Sequence, residues 1–158
     1  MKSTTNYPKR MKRFTLFALM ALSLVMLIPL RALGATPYVV SSGNTLTFYY
    51  DDLKESRSGT TFDIAASYSG SSWNTSPHWR SSSITTVIFD SSFYGYTPTS
   101  TCSWFLNCSK LTQLIGLENL NTQKVTNMSW MFKNCKALKT LDLSSWQTDS
   151  LITTAQMF

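Results

Sequence analysis

The feature that most constrains the fold is a pattern of apolar residues that recurs every 26 or 27 positions in the second half of the chain. Three sets of residues carry it: Val87, Leu114 and Leu141; Phe93, Leu120 and Trp146; Phe105, Phe132 and Phe158. The pair Asn-Cys also recurs, at 107–108 and 134–135. A unit of this length buries little apolar surface by itself, so we expect neighbouring units to share one core.

The spacing within a unit predicts one strand and one helix. Leu138, Leu141 and Leu143 alternate with polar residues near the strand period. Between Val125 and Cys135, apolar residues recur at steps of three or four, which predicts a helix of about three turns. Beyond the three sets above, the predicted repeat core contains Cys108, Leu111, Val125, Met128, Met131, Cys135, Leu138, Leu143 and Met157. The expected fold class is α/β, a leucine-rich-repeat type solenoid with a short strand and a short helix per repeat.

The segment "VTNMSWMFKNCKALKTLDLSSWQT" at 125–148 resembles the 26-residue repeat of the BspA-like leucine-rich-repeat bacterial surface proteins. It departs from that repeat at Gln147, where Asn or Asp is usual. The copy at 98–121 lacks the Met pair, and the copy at 151–158 keeps Met157 and Phe158. The resemblance implies an exported or surface-exposed protein of host-associated bacteria that acts in adhesion or host-protein contact. The family's repeat contains no catalytic residues.

The first 35 residues form the three-part pattern of a secretory signal peptide. A basic segment is followed by the apolar run "FTLFALMALSLVMLIPL" and by the small residues of "RALGAT". The alternative is an uncleaved membrane anchor, although the run is shorter than the roughly 20 residues that a membrane span needs. Six of the 14 Lys and Arg residues lie in this segment, so the remainder has eight basic and eight acidic residues. A neutral remainder argues against binding to nucleic acid.

The rest of the chain divides into two predicted parts. Residues 36–83 do not follow the repeat, and "YVVSSGNTLTFYYDD" predicts two strands around a turn at 42–44. We expect this part to be a small β-rich N-terminal cap that covers the first repeat. Residues 84–158 contain about three repeats, of which the last is incomplete.

The sequence predicts no catalytic, cofactor-binding or metal-binding residues. His78 is the only histidine and lies in a polar loop, and the chain has no Cys-x-x-Cys pair that would favour zinc. Cys108 and Cys135 occupy the same repeat position, so they form either two buried thiols or one disulfide. The packing of thiols is favoured because an odd number of cysteines argues against a disulfide framework.

Four aromatic residues outside the repeat register are candidate ligand contacts: Trp73, Trp79, Tyr94 and Tyr96. Exposed aromatic rings in such loops stack on sugars or form protein-binding patches. For Trp73 and Trp79, packing inside the cap is the favoured interpretation.

These observations favour a non-enzymatic protein that is secreted or displayed at the cell surface. The expected partner is a protein of a host or neighbouring cell, and the expected contact with membrane is through the N-terminal segment alone, if it is uncleaved. Two alternatives remain: a fragment of a longer surface protein without independent function, and a carbohydrate-binding module that uses the aromatic residues to bind a glycan.

Overall fold

The computed structural model describes residues 34–65 and 77–158, and its first element is the β-hairpin that the sequence predicts. Strand β1 (Thr36–Ser42) pairs antiparallel with β2 (Thr45–Asp51), and Gly43 and Asn44 make the turn between them. Gly43 adopts a φ of +57°, a conformation that costs a residue without a side chain little. On β2, the side chains of Leu46 and Phe48 share one face and are fully buried.

Three further strands complete one mixed five-stranded sheet. They are β3 (Thr60–Asp63), β4 (Thr86–Phe89) and β5 (Gln113–Ile115), and the order across the sheet is β3-β1-β2-β4-β5. β3 pairs antiparallel with β1, whereas β4 pairs parallel with β2, and β5 pairs parallel with β4. Parallel neighbours need long connections, and here β4 and β5 are joined by residues 90–112.

The described helices are short and of the 3-10 type, at Lys54–Ser56, Ser91–Gly95 and Leu117–Asn119. The second begins after Asp90, whose side chain accepts a hydrogen bond from the Ser92 backbone N–H at 2.9 Å. Within residues 34–65 and 77–158, no helix has the length and apolarity that crossing a bilayer requires.

The core is built around the ring of Phe48. Five aromatic rings surround it at centroid distances of 4.7 to 5.8 Å: Trp79, Phe89, Phe93, Trp104 and Phe105. Edge-to-face and offset contacts of this kind add to the stabilisation from burial alone. The hairpin, β4 and the segment after Pro98 therefore share one core, and residues Gly34–Phe158 form a single compact unit.

Residues 97–158 are held by backbone hydrogen bonds between segments that lie 25 or 26 positions apart. The N–H groups of Thr101, Ser103, Phe105 and Asn107 donate to carbonyls of residues 127, 129, 131 and 133. In the same way, the N–H groups of residues 128, 130 and 132 donate to carbonyls of residues 153, 155 and 157. We call this set of bonds the turn ladder. In this region the turn ladder, instead of a regular strand or helix, provides hydrogen-bond partners for backbone N–H and C=O groups.

The predicted helix between Val125 and Cys135 is wrong. The segment is a series of tight turns, in which Met131, Lys133 and Cys135 each donate a backbone hydrogen bond to the residue three positions earlier. Trp130 and Asn134 adopt φ values of +57° and +62°, which are incompatible with a right-handed helix. The apolar residues at steps of three or four therefore belong to successive tight turns. Every second backbone N–H group in these turns donates a hydrogen bond of the turn ladder.

The predicted leucine-rich-repeat solenoid is wrong as well. The chain is a mostly-sheet domain with one mixed five-stranded sheet, to which strands β1, β2 and β3 of residues 36–63 contribute. The segment with Leu138, Leu141 and Leu143 forms no strand, and no backbone hydrogen bond of the described residues joins 140–142 to β5. The parallel stacking of one strand per repeat therefore stops at β5.

Most of the predicted core residues are buried. Twelve of these residues are buried: Val87, Phe93, Phe105, Cys108, Leu111, Leu120, Val125, Met128, Met131, Phe132, Cys135 and Met157. Five are half-buried: Leu114, Leu138, Leu141, Leu143 and Trp146. Phe158 is 71% exposed, although its ring stacks on Phe132 at 5.9 Å.

The last row of the turn ladder presents unpaired donors. Among the hydrogen bonds of the described residues, none uses the backbone N–H of Thr154, Gln156 or Phe158. All three residues are exposed. The backbone carbonyls of residues 153, 155 and 157 already accept hydrogen bonds from the N–H groups of residues 128, 130 and 132.

The predicted signal peptide at 1–35 lies outside the described residues except for its last two positions, and so does Trp73. The predicted boundary between residues 36–83 and residues 84–158 remains a prediction.

The stack of Phe105, Phe132 and Phe158 provides a matched pair of substitutions. Phe132→Ala should lower the free energy of unfolding by about 3–5 kcal/mol, because it leaves a cavity between two rings in the core. Phe158→Ala should cost below about 1 kcal/mol, since that ring is mostly in solvent. Urea unfolding measures both values, and equal costs would contradict the placement of the two rings.

Candidate functional site

An open cleft of the described residues lies beside the edge strand β5. It has a volume of about 780 Å³ and is bounded by residues 112–118 on one side and residues 140–145 on the other. Leu114, Leu117 and Leu141 supply apolar surface, and Ile115 is 50% exposed at its rim. We call this feature the β5 cleft.

The backbone of β5 is available to a ligand on the cleft side. The Gln113 N–H donates to the Thr85 carbonyl, so the polar groups of Gln113 face β4. Because backbone groups alternate along a strand, the N–H and C=O of Leu114 face the opposite side. No backbone hydrogen bond within the described residues satisfies them from residues 140–142.

Gly116 shapes the end of the cleft. It adopts a φ of +70°, and a Cβ atom there would lie 2.3 Å from the Phe89 carbonyl oxygen. The same oxygen accepts a hydrogen bond from the Asn119 amide at 3.0 Å. A residue without a side chain is thus required for the chain to turn tightly from β5 against the end of β4.

The cleft is acidic. Glu118 and Asp142 are both exposed in its lining, and no Lys, Arg or His belongs to that lining. Backbone and side-chain hydrogen bonds with Ser144 lower the pKa of Asp142 from its usual range. Asp142 is therefore ionised at neutral pH.

The candidate aromatic contacts occupy different environments. Trp79 is 2% exposed, and its indole N–H donates to the Trp104 carbonyl at 3.0 Å, so it packs in the core. Tyr94 is 58% exposed. Tyr96 is half-buried, with its ring 5.8 Å from Tyr50. The structure does not bring Trp79 and Tyr94 together on one surface.

The three cysteines are free thiols buried in the core. Burial raises the pKa of Cys102 and Cys108, and it raises the pKa of Cys135 to about 12. The Cys135 thiol donates a hydrogen bond to the Phe105 carbonyl at 3.1 Å. Thiols of this kind are poor nucleophiles because little thiolate is present at neutral pH.

No group of three or more His, Cys, Asp or Glu residues in the described part of the chain could hold a metal ion. His78 is exposed and lies next to a smaller pocket, which also contains Arg80. A separate polar cluster lies beside β1, where Arg57 pairs with Asp51 at 2.6 Å and stacks on the Tyr49 ring at 3.8 Å. This cluster joins the hairpin to the loop after it.

The sequence reasoning missed the β5 cleft. Its exposed residues follow the same register as the predicted core, since Gln113 and Thr140, like Ile115 and Asp142, lie 27 positions apart. The outward-facing members of the repeat carry the signal for this surface, whereas the predicted core contains its inward-facing members.

The comparisons with known proteins concern the C-terminal part. Residues 97–158 match a family model described as Mycoplasma protein of unknown function, DUF285. The match covers 62 of 158 residues, and its description names no activity. No BspA-like repeat model matches, so the predicted resemblance to that family is wrong. No curated protein and no solved structure matches the chain.

Burial of the thiols gives a direct prediction. At pH 8 the folded protein should react with a disulfide reagent such as DTNB far more slowly than the unfolded protein. For Cys135 the pKa alone lowers the thiolate fraction by about a thousandfold. After unfolding in urea without reductant, all three thiols should titrate. A titre of one thiol would instead reveal a disulfide and contradict the structure.

Proposed function

We propose that the chain is an exported, non-enzymatic protein that binds a protein partner through the β5 cleft. The partner contributes an extended segment that adds to the open edge of β5. Export is supported by the signal-peptide pattern of residues 1–35. The observation that carries the proposal is the unsatisfied edge of β5 facing a cleft of about 780 Å³.

Strand addition suits this cleft for two reasons. Main-chain hydrogen bonds to the Leu114 N–H and C=O would satisfy groups that otherwise rely on water. In addition, Leu114 and Leu141 are half-buried and provide apolar surface to the alternate side chains of an added strand.

The charge of the cleft favours a basic partner segment. Glu118 and Asp142 lie in the lining without a cationic neighbour there. A Lys or Arg side chain of the partner would be attracted to both carboxylates. The main effects of this attraction would be a faster association rate and better discrimination between partners. The effect should weaken with added salt.

Binding of a glycan is a second candidate, because Tyr94 is exposed and Tyr96 lies two residues further along the chain. The burial of Trp79 removes one of the aromatic rings on which this hypothesis depended. A glycan array probed with the full chain and with Tyr94→Ala tests it: signal that depends on Tyr94 supports it, and silence excludes it.

The primary experiment measures binding of the full chain to immobilised fibronectin, laminin and type I collagen by surface plasmon resonance. We expect a dissociation constant of about 10 μM or tighter for at least one of them, within the range of specific protein contacts. On binding, hydrogen exchange of the Leu114 amide should slow. Absence of binding by folded protein would contradict the proposal.

Charge variants locate the binding surface. Replacing both Glu118→Gln and Asp142→Asn should weaken binding about threefold or more and reduce its dependence on salt. Glu55→Gln is the matched control, since Glu55 is exposed on the helix Lys54–Ser56, away from the cleft lining. If the control weakens binding equally, the effect is general electrostatics and the β5 cleft is not the site.

A further inference from the structure

A second pocket of the described residues contains an arginine without an acidic partner. The pocket has a volume of about 450 Å³ and is lined by Pro77, His78, Arg80, Ser81, Ser82, Leu106 and Asn107. This volume lies within the usual range for small-ligand sites, about 300–1,000 Å³. It shares no residue with the β5 cleft.

The Arg80 guanidinium is only partly satisfied. Its Nε–H donates to the Pro77 carbonyl at 3.0 Å, which fixes the orientation of the planar group. The ion pairs within the described part of the chain are Lys54 with Asp63 and Arg57 with Asp51, so no carboxylate neutralises Arg80. Burial lowers the pKa of Arg80, and the nearby Cys102 and Cys108 would raise it only as thiolates, which their own raised pKa values disfavour at neutral pH.

Burying a cation partly, without a counter-ion, costs free energy of folding unless a ligand or water completes its hydrogen bonds. Two of the four Nη–H groups of a guanidinium, one on each terminal nitrogen, match two oxygens of a carboxylate, sulfate or phosphate in a fork-to-fork arrangement. The Ser81 and Ser82 hydroxyls and the Asn107 amide lie in the same lining and are further donors for such an ion. Buried Leu106 and Pro77 supply an apolar wall beside it.

We propose that this pocket binds an oxyanion, held bidentately by Arg80 and supported by the adjacent hydroxyl and amide groups. The apolar wall accommodates a small apolar group attached to the anion. Free inorganic ions and the carboxylate of an apolar compound share this chemistry, and the experiment separates them.

The test is an NMR titration of the full chain with sodium sulfate, sodium phosphate and sodium N-acetyl-leucinate, against sodium chloride at equal ionic strength. We expect saturable shifts of the Arg80 side chain and of the 81 and 82 amides with at least one oxyanion. Saturation by sulfate or phosphate identifies an inorganic-ion site. Saturation by N-acetyl-leucinate alone identifies a carboxylate site that requires the apolar group. Lack of saturation by any of them overturns the proposal.

Variants confirm the assignment. Arg80→Gln should weaken binding at least about tenfold, because a charge-assisted hydrogen bond is lost. Arg80→Lys keeps the charge without the fork, should bind with intermediate affinity, and serves as the test if the Gln variant does not fold. Lys110→Gln is the control, since Lys110 is exposed and outside the pocket lining. Unchanged binding by Arg80→Gln or Arg80→Lys, or equal loss in Lys110→Gln, would overturn the proposal.

Discussion

The structure of residues 97–158 depends on the turn ladder. This region contains one short strand and one short helix, so its backbone is bonded mainly by tight turns and by the turn ladder, whose bonds join residues 25 or 26 positions apart. Such bonds form only when the side chains beneath them are packed, because a buried backbone group without a partner is costly. The stacked rings of Phe105 and Phe132 and the buried Met131 provide that packing. Backbone bonding and core formation are therefore one cooperative event in this part of the chain.

The sequence predicted which residues lie in the core better than it predicted their secondary structure. The hairpin of β1 and β2 was predictable because alternating burial and a glycine turn are local signals. The apolar stripe of 125–135 misled the helix prediction, since steps of three or four residues occur both in helices and in successive tight turns. What separates the two is the left-handed conformation of Trp130 and Asn134, and asparagine alone gives a weak local signal of it. The extent of the sheet was unpredictable because the spacing of Leu141 is that of a strand residue. This spacing does not indicate whether residues 140–142 pair with β5.

The candidate sites were unpredictable for a different reason. Trp79 fills the core beside Phe48, and its indole N–H donates to the Trp104 carbonyl, a partner that no sequence pattern could locate. The acidic β5 cleft and the Arg80 pocket depend on which charges lack a partner in space. That property follows from tertiary contacts between segments far apart in the chain, and it is visible only once those contacts are known. The proposed partner-binding and anion-binding roles rest on these unpartnered groups.

The unpaired N–H groups of Thr154, Gln156 and Phe158 have a consequence for self-association. If two copies met at these residues about a two-fold axis, their backbone N–H groups would lie opposite one another, and an N–H group cannot accept a hydrogen bond from another. The exposed Phe158 ring would favour such contact through burial of apolar surface, whereas the facing N–H groups would oppose it. A segment that supplies carbonyl groups would satisfy the same N–H groups.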